Sequence, residues 1–277
     1  MSSVIPAATV CQPDRDLPQI KNAESGRTWL TRARTFVTAI SQVDTGHVLS
    51  RDNNPDEYML ILPDGLLATI HAAGETRQID GQGDTLVIVP PGDSRIELHA
   101  SGWATRIFSH RAADLMALAS NADTYPALAP DEPPAPPPGG FRLRVYRLDD
   151  YKRSDGPARP FRSTNMLINA FVPRDFRRDV RKMSPHAHED FDQASLALQG
   201  GFVHHLRYPW TPDMTTWRND EHLVVGSPSV IIMPAQAIHT SQDVGGGWVQ
   251  LIDIFSPPRP DFVEKPGWLC NETDYPS

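Results

Sequence analysis

The 277 residues carry a formal net charge of −8, with 39% apolar and 22% charged residues, proportions typical of a globular protein in water. No apolar run approaches the ~20 residues of a membrane-spanning helix, and no basic patch of useful size offers a track for nucleic acid. Two cysteines, Cys11 and Cys270, are too few for a disulfide framework or a thiolate zinc site.

The N-terminus, MSSVIPAATVCQPDRD, lacks the basic start and long apolar stretch of a signal peptide, so a cytoplasmic location is expected. Strand-like runs follow at 57–65 (EYMLILPDG), 66–72 (LLATIHA), 84–93 (DTLVIVPPGD) and 103–109 (WATRIFS). RAADLMALASNA, residues 111–122, has helical spacing and good helix formers, and is expected to close the first domain. Residues 125–140, YPALAPDEPPAPPPGG, form a Pro-rich, extended, semi-rigid linker. The expected division is 1–124, the linker 125–140, and 141–277.

Strand-like runs resume at 165–173, 193–201, 202–210, 229–236 and 247–258. Both halves contain a strand ending in glycine (Gly65; Gly200), a short hairpin, and a valine/isoleucine run ending in proline (Pro90; Pro234). That repeated order, with 27 prolines breaking the chain into short segments, predicts an all-β protein made of two fused copies of one barrel. The basic cluster Arg174, Arg177, Arg178, Arg181 and Lys182 is interrupted by Asp175 and Asp179 and reads as a solvated loop face.

Residues 184–200 read SPHAHEDFDQASLALQG. His186 and His188 are two apart, so on a strand their imidazoles share a face and can converge on one ion. Gln193 starts the next strand and can close the same site, and His239 follows the run SVIIMPAQAIH. Three imidazoles suit one divalent metal, zinc, iron, manganese, nickel or copper, without choosing among them. His204 and His205 are adjacent and face opposite sides of a strand, so at most one enters the barrel. Arg207, Tyr208, Trp210, Trp217 and His222 are candidates for the pocket wall, with Phe202 and Trp248 as packing.

His186-x-His188, Gln193 and Gly200 together resemble the first cupin motif, with Gln where Glu is commoner. Pro234-x-Gln236-x-x-His239 resembles the second, with Gln236 where Gly is usual. The resemblance implies two tandem cupin barrels of the double-stranded β-helix, or jelly-roll, type. In the first half Pro90-x-Gly92-x-x-Arg95 matches the second motif with arginine in the metal-histidine slot, and Arg51 and Asn53 fall in the His-x-His slots. A metal-free first barrel follows, with Arg95 expected to pair with Glu57 in place of an ion.

The final run, Asp253-x-Phe255-Ser256-Pro257-x-Arg259, resembles the ending of the KdgF-like cupins, single small barrels that act on unsaturated monosaccharides released from pectin and alginate. The resemblance covers roughly residues 184–259 and implies a His, His, Gln, His metal set. It also implies Asp253 as general acid or base, Arg259 as a bidentate carboxylate clamp, and hydration or tautomerisation of an unsaturated or keto sugar acid. Two other functions remain open: an iron-dependent dioxygenase of the bicupin type, and a non-catalytic, metal-assisted sugar-acid binding protein. The expected partners are a small anionic substrate and, by resemblance, a second copy of the chain in a homodimer.

Overall fold

The computed structural model describes residues 4–129, 131–154 and 156–276. Its strands in chain order are β1 (Thr9–Cys11), β2 (Ile20–Asn22), β3 (Gly26–Arg32), β4 (Phe36–Val43), β5 (Val48–Asn54), β6 (Tyr58–Leu62), β7 (Ala68–Ala72), β8 (Glu75–Ile79), β9 (Thr85–Val89), β10 (Gly92–Leu98) and β11 (Gly102–Ser109). The short helix α1 (Ala113–Leu118) follows, buries Leu115 and Met116, and is shorter than the 111–122 run suggested. Then come β12 (Arg144–Arg147), β13 (Pro160–Arg162), β14 (Leu167–Ala170), β15 (Gln193–Gln199), β16 (Gly201–Arg207), β17 (Glu221–Val225), β18 (Ser229–Met233), β19 (Ile238–Val244), β20 (Gln250–Phe255) and the single turn α2 (Pro260–Val263). Among the described residues no helix is long and apolar enough to cross a membrane.

The strands make four antiparallel sheets. A seven-stranded sheet, β12-β9-β6-β11-β4-β3-β2, packs on a four-stranded one, β5-β10-β7-β8. A six-stranded sheet, β1-β18-β15-β20-β14-β13, packs on a three-stranded one, β17-β16-β19. These are the two barrels. Their larger sheets lie face to face, and the sequence shows why. A strand covered on one face alternates apolar and polar residues, whereas β6, β9 and β18 are buried throughout and, after the hydroxyl residues Thr85 and Ser229 that start β9 and β18, carry no polar alternation. In β6, Tyr58, Leu60 and Leu62 fill the first barrel, while Met59 and Ile61 join the core between the barrels. In β18, Ile231 and Met233 face into the second barrel, while Val230 and Ile232 face the first.

Strand pairing crosses the Pro-rich segment in both directions. β1 adds to the edge of β18 in the second barrel, pairing Thr9 with Ile232 and Cys11 with Val230. β12, beyond the Pro-rich segment, adds to β9 in the first barrel. Each large sheet thus has an edge covered by a strand from the other half, which hides backbone groups that would otherwise recruit another chain. Side chains cross between the halves as well. Tyr275 donates to Glu57 Oε1 at 2.7 Å, and Thr164 donates to Glu57 Oε2 from its backbone (3.0 Å) and its hydroxyl (2.9 Å).

Glu57 therefore has no tie to Arg95, contrary to the pairing expected from the sequence. Strand β10 alternates, with Ser94, Ile96 and Leu98 buried and Arg95 turned outward, where it meets Glu97 at 2.9 Å. Gly200, which ends β15, has a left-handed φ of +85°, and a Cβ there would come within 2.8 Å of the Trp248 carbonyl oxygen. Only glycine fits that turn.

Candidate metal centre

The segment around His186 lies antiparallel to the start of β19. The His186 N–H donates to the His239 carbonyl at 3.1 Å and the His239 N–H donates back at 2.8 Å. Gln236 donates its N–H to the His188 carbonyl, holding the second histidine against the same turn. Gln236 has a left-handed φ of 69°, which explains why glycine suits this position and why a side chain here carries backbone strain of about 1–2 kcal/mol.

This zipper brings one ring nitrogen of each of His186, His188 and His239 within 4.8 Å of one another. Gln193, first residue of β15, points its Oε1 at them, 2.9 Å from His188 Nε2 and 3.2 Å from His239 Nε2. His188, Gln193 and His239 are buried; His186 faces the opening. Burial pulls both His188 and His239 down to about 4, so each is neutral near pH 7 and has a lone pair to give.

The tautomers fit a metal. His239 Nδ1 lies 2.9 Å from the Ala237 carbonyl and His186 Nδ1 lies 2.9 Å from the Ser184 carbonyl. A carbonyl accepts and cannot donate, so both Nδ1 atoms carry a proton, and the neutral His239 therefore presents its lone pair at Nε2. For His239 that lone pair faces the lone pairs of Gln193 Oε1. Acceptors converging in a buried place are unfavourable unless a cation sits among them. The residues present therefore fit a divalent ion held by three imidazoles and one neutral oxygen.

A cavity of about 140 Å³ opens beside the cluster, lined by His186, Gln193, His239 and Asp253. Ser195 donates to Asp253 Oδ1 at 2.5 Å and receives Gln193 Nε2 at 3.3 Å, so one hydroxyl orients both. Burial pushes the Asp253 carboxyl up to about 6, against the Ser195 hydrogen bond and the neighbouring positive charge, which pull it down.

The Arg259 guanidinium, the expected clamp, is engaged by Asp261 at 2.7 Å and packs on the rings of Phe255 and Phe262; it is not among the residues that line the cavity, but its charge acts on His188 and Asp253. The cations that do line the cavity are Arg174 and Arg178, from the loop the sequence suggested was a solvated face. Asp243 compensates Arg174 at 2.9 Å. The Arg178 guanidinium reaches only Ser184 and the Lys182 carbonyl, and among the described residues no carboxylate pairs with it. Sequence alone hid this, because the curl that turns Arg178 inward is set by its N–H donating to the distant Asp243.

Of the aromatic candidates, Phe202 lines the cavity. Trp210 and Trp217 stack on each other in an exposed loop, Arg207 pairs with Asp220, and Tyr208 donates to Glu221 while receiving the Ala8 N–H. His204 is buried against Ser241, whereas His205 faces out and meets His222.

No protein-family model matches the chain, and no curated protein matches it in sequence. Solved structures do match in shape. Protein Ylba from E. coli is 13% identical with a TM-score of 0.61, over 91% of each chain. The oxalate decarboxylase of Lactobacillus farciminis, in a formate complex, is 12% identical with a TM-score of 0.58, over 94% of this chain and 88% of its own. A cupin 2 conserved barrel domain protein from Leptotrichia buccalis is 8% identical with a TM-score of 0.51, over 90% of this chain and 96% of its own. The fold is that of a bicupin. Within this bicupin the two barrels differ: among the described residues the histidine trio belongs to the second.

Proposed function

We propose that the second barrel binds one divalent metal ion through His186, His188, His239 and Gln193 and performs acid–base chemistry on a small anionic metabolite, with an unsaturated or keto sugar acid as the substrate class. The observation that carries this reading is the convergence of imidazole lone pairs and a neutral amide oxygen on a cavity that also holds Asp253. A bound ion supplies positive charge that polarises a substrate carboxylate or carbonyl, and a neutral Gln193 leaves more of that charge in place than a carboxylate does.

The chain's own residues supply the rest. Arg178 takes the substrate carboxylate at the cavity wall, the role the sequence suggested for Arg259. Asp253 moves the proton, held in position by Ser195. Phe171, Phe202 and Val249 limit water at the reacting atoms. Tautomerisation of an enol needs no more than these, and hydration of an enol ether adds one water from the cavity mouth: Asp253 gives a proton to one carbon and regains one from the water whose oxygen adds to its neighbour. Oxalate, named for one of the similar structures, belongs to the same class of small carboxylates.

The test is turnover of an unsaturated uronate under nitrogen, followed as loss of its conjugated ultraviolet absorbance. Wild-type protein consumes the substrate, and Asp253→Asn, with its metal content kept, is slower by about 10²–10⁴. Oxygen-dependent turnover of an aromatic substrate, or tight binding with no turnover, would replace this reading with a dioxygenase or a sensor.

A further inference from the structure

The first barrel has no histidine cluster among the described residues, yet its interior is charged. Arg106, on β11 between the core residues Ala104 and Phe108, is 7% exposed. Two of its nitrogens, Nε and Nη1, are buried without a hydrogen-bond partner. A buried guanidinium with unmet donors is costly unless something in the folded protein answers it. Burial lowers its pKa to about 10, which leaves it charged at neutral pH.

Nearby charges do not answer it. Arg51, on β5, packs on the same Phe108 ring as Arg106, with the two guanidinium carbons 5.3 and 5.5 Å from the ring centroid. Asp114 of α1 takes Arg51 in two hydrogen bonds of 2.6 and 3.1 Å, and Glu97 takes Arg95. Each of those arginines has its carboxylate; Arg106 has none among the described residues. All three line one cleft of about 760 Å³ between β2–β3, β5 and α1, and the other acid on its wall, Glu24, is exposed to water.

We propose that this cleft is a second binding site, distinct from the metal centre, which takes a small carboxylate against Arg106 with Arg51 beside it. One positive charge is uncompensated, which matches a single carboxylate group rather than a polyanion. The site gives the metal-free barrel a ligand of its own.

The experiment uses full-length protein carrying His239→Ala together with Arg178→Gln, so that neither the metal ligands nor the cavity arginine of the second barrel can account for the anion, and follows the thermal unfolding midpoint against sodium acetate at constant ionic strength. A ligand that binds the folded state raises the midpoint in a saturable way. Saturable stabilisation is expected, with affinity falling about tenfold or more in Arg106→Gln, the scale of a lost charged hydrogen bond. In Asp114→Asn, a change on the exposed side of α1, affinity rises a few-fold because Arg51 is released. A non-saturable response in the protein carrying His239→Ala and Arg178→Gln overturns the proposal, as does acetate affinity unchanged in Arg106→Gln. If Arg106→Gln does not fold, Arg51→Gln decides, and unchanged affinity there overturns it too.

Discussion

At the scale of single residues, Ser195 is the hinge of the second barrel's chemistry. Its hydroxyl donates to the half-buried Asp253 carboxylate and accepts from the amide whose other end faces two imidazoles. Ser195→Ala leaves the half-buried Asp253 carboxylate short of a partner, and a stability loss of about 1–3 kcal/mol is expected in urea unfolding. An unchanged midpoint would show that water replaces the hydroxyl. His186 and His188 were readable because residues two apart on an extended segment share a face, and Gln193 and His239 because their spacing matches the two resembled motifs. Asp253 was picked out only through the resemblance of the run from Asp253 to Arg259 to a known ending. Arg178 and Arg106 were not. The first turns inward through a loop contact to Asp243, and the second sits in a strand whose inward phase is defined only once its partners Ala39 and Leu60 are known. Arg95 shows the reverse error: matched by motif spacing, it lies one residue out of phase with the inward face of β10.

At the scale of elements, the exchanged strands β1 and β12 carry a prediction. β18 is a serine followed by four apolar residues, SVIIM, buried throughout, and β1 is what covers its outer edge. Removing residues 1–12 exposes that edge, and the truncated protein is expected to associate, seen as concentration-dependent light scattering that the intact chain lacks. A truncated chain that stays monodisperse would mean that β1 is not what protects the edge. The existence of these strands was hard to foresee. TVC and RVYR are three and four residues long, and their partners lie more than two hundred and more than fifty residues away. The Pro-rich segment between them was plain from composition, but composition does not reveal that pairing crosses it.

At the scale of the whole molecule, the shared core between the large sheets makes the two barrels one cooperative body. Met59, Ile61, Ile232 and Ile254 belong to the same apolar cluster, and the buried Glu57 of the first barrel is satisfied by Thr164 and Tyr275 from beyond the Pro-rich segment. Calorimetry of the metal-stripped protein is expected to show a single transition whose van't Hoff and calorimetric enthalpies agree; two resolved transitions would mean independent barrels. The asymmetry between the barrels is the other property of the whole chain. One offers imidazoles and an amide oxygen, the other guanidinium groups, so the bicupin is expected to hold one metal ion rather than two. Elemental analysis of purified wild-type protein beside His186→Ala tests this most directly. The account predicts about one equivalent of a divalent transition metal per chain in the wild type, the ratio set by a single His, His, Gln, His site, and a near-complete loss in the variant. Negligible metal in both, or the same content in both, would contradict it.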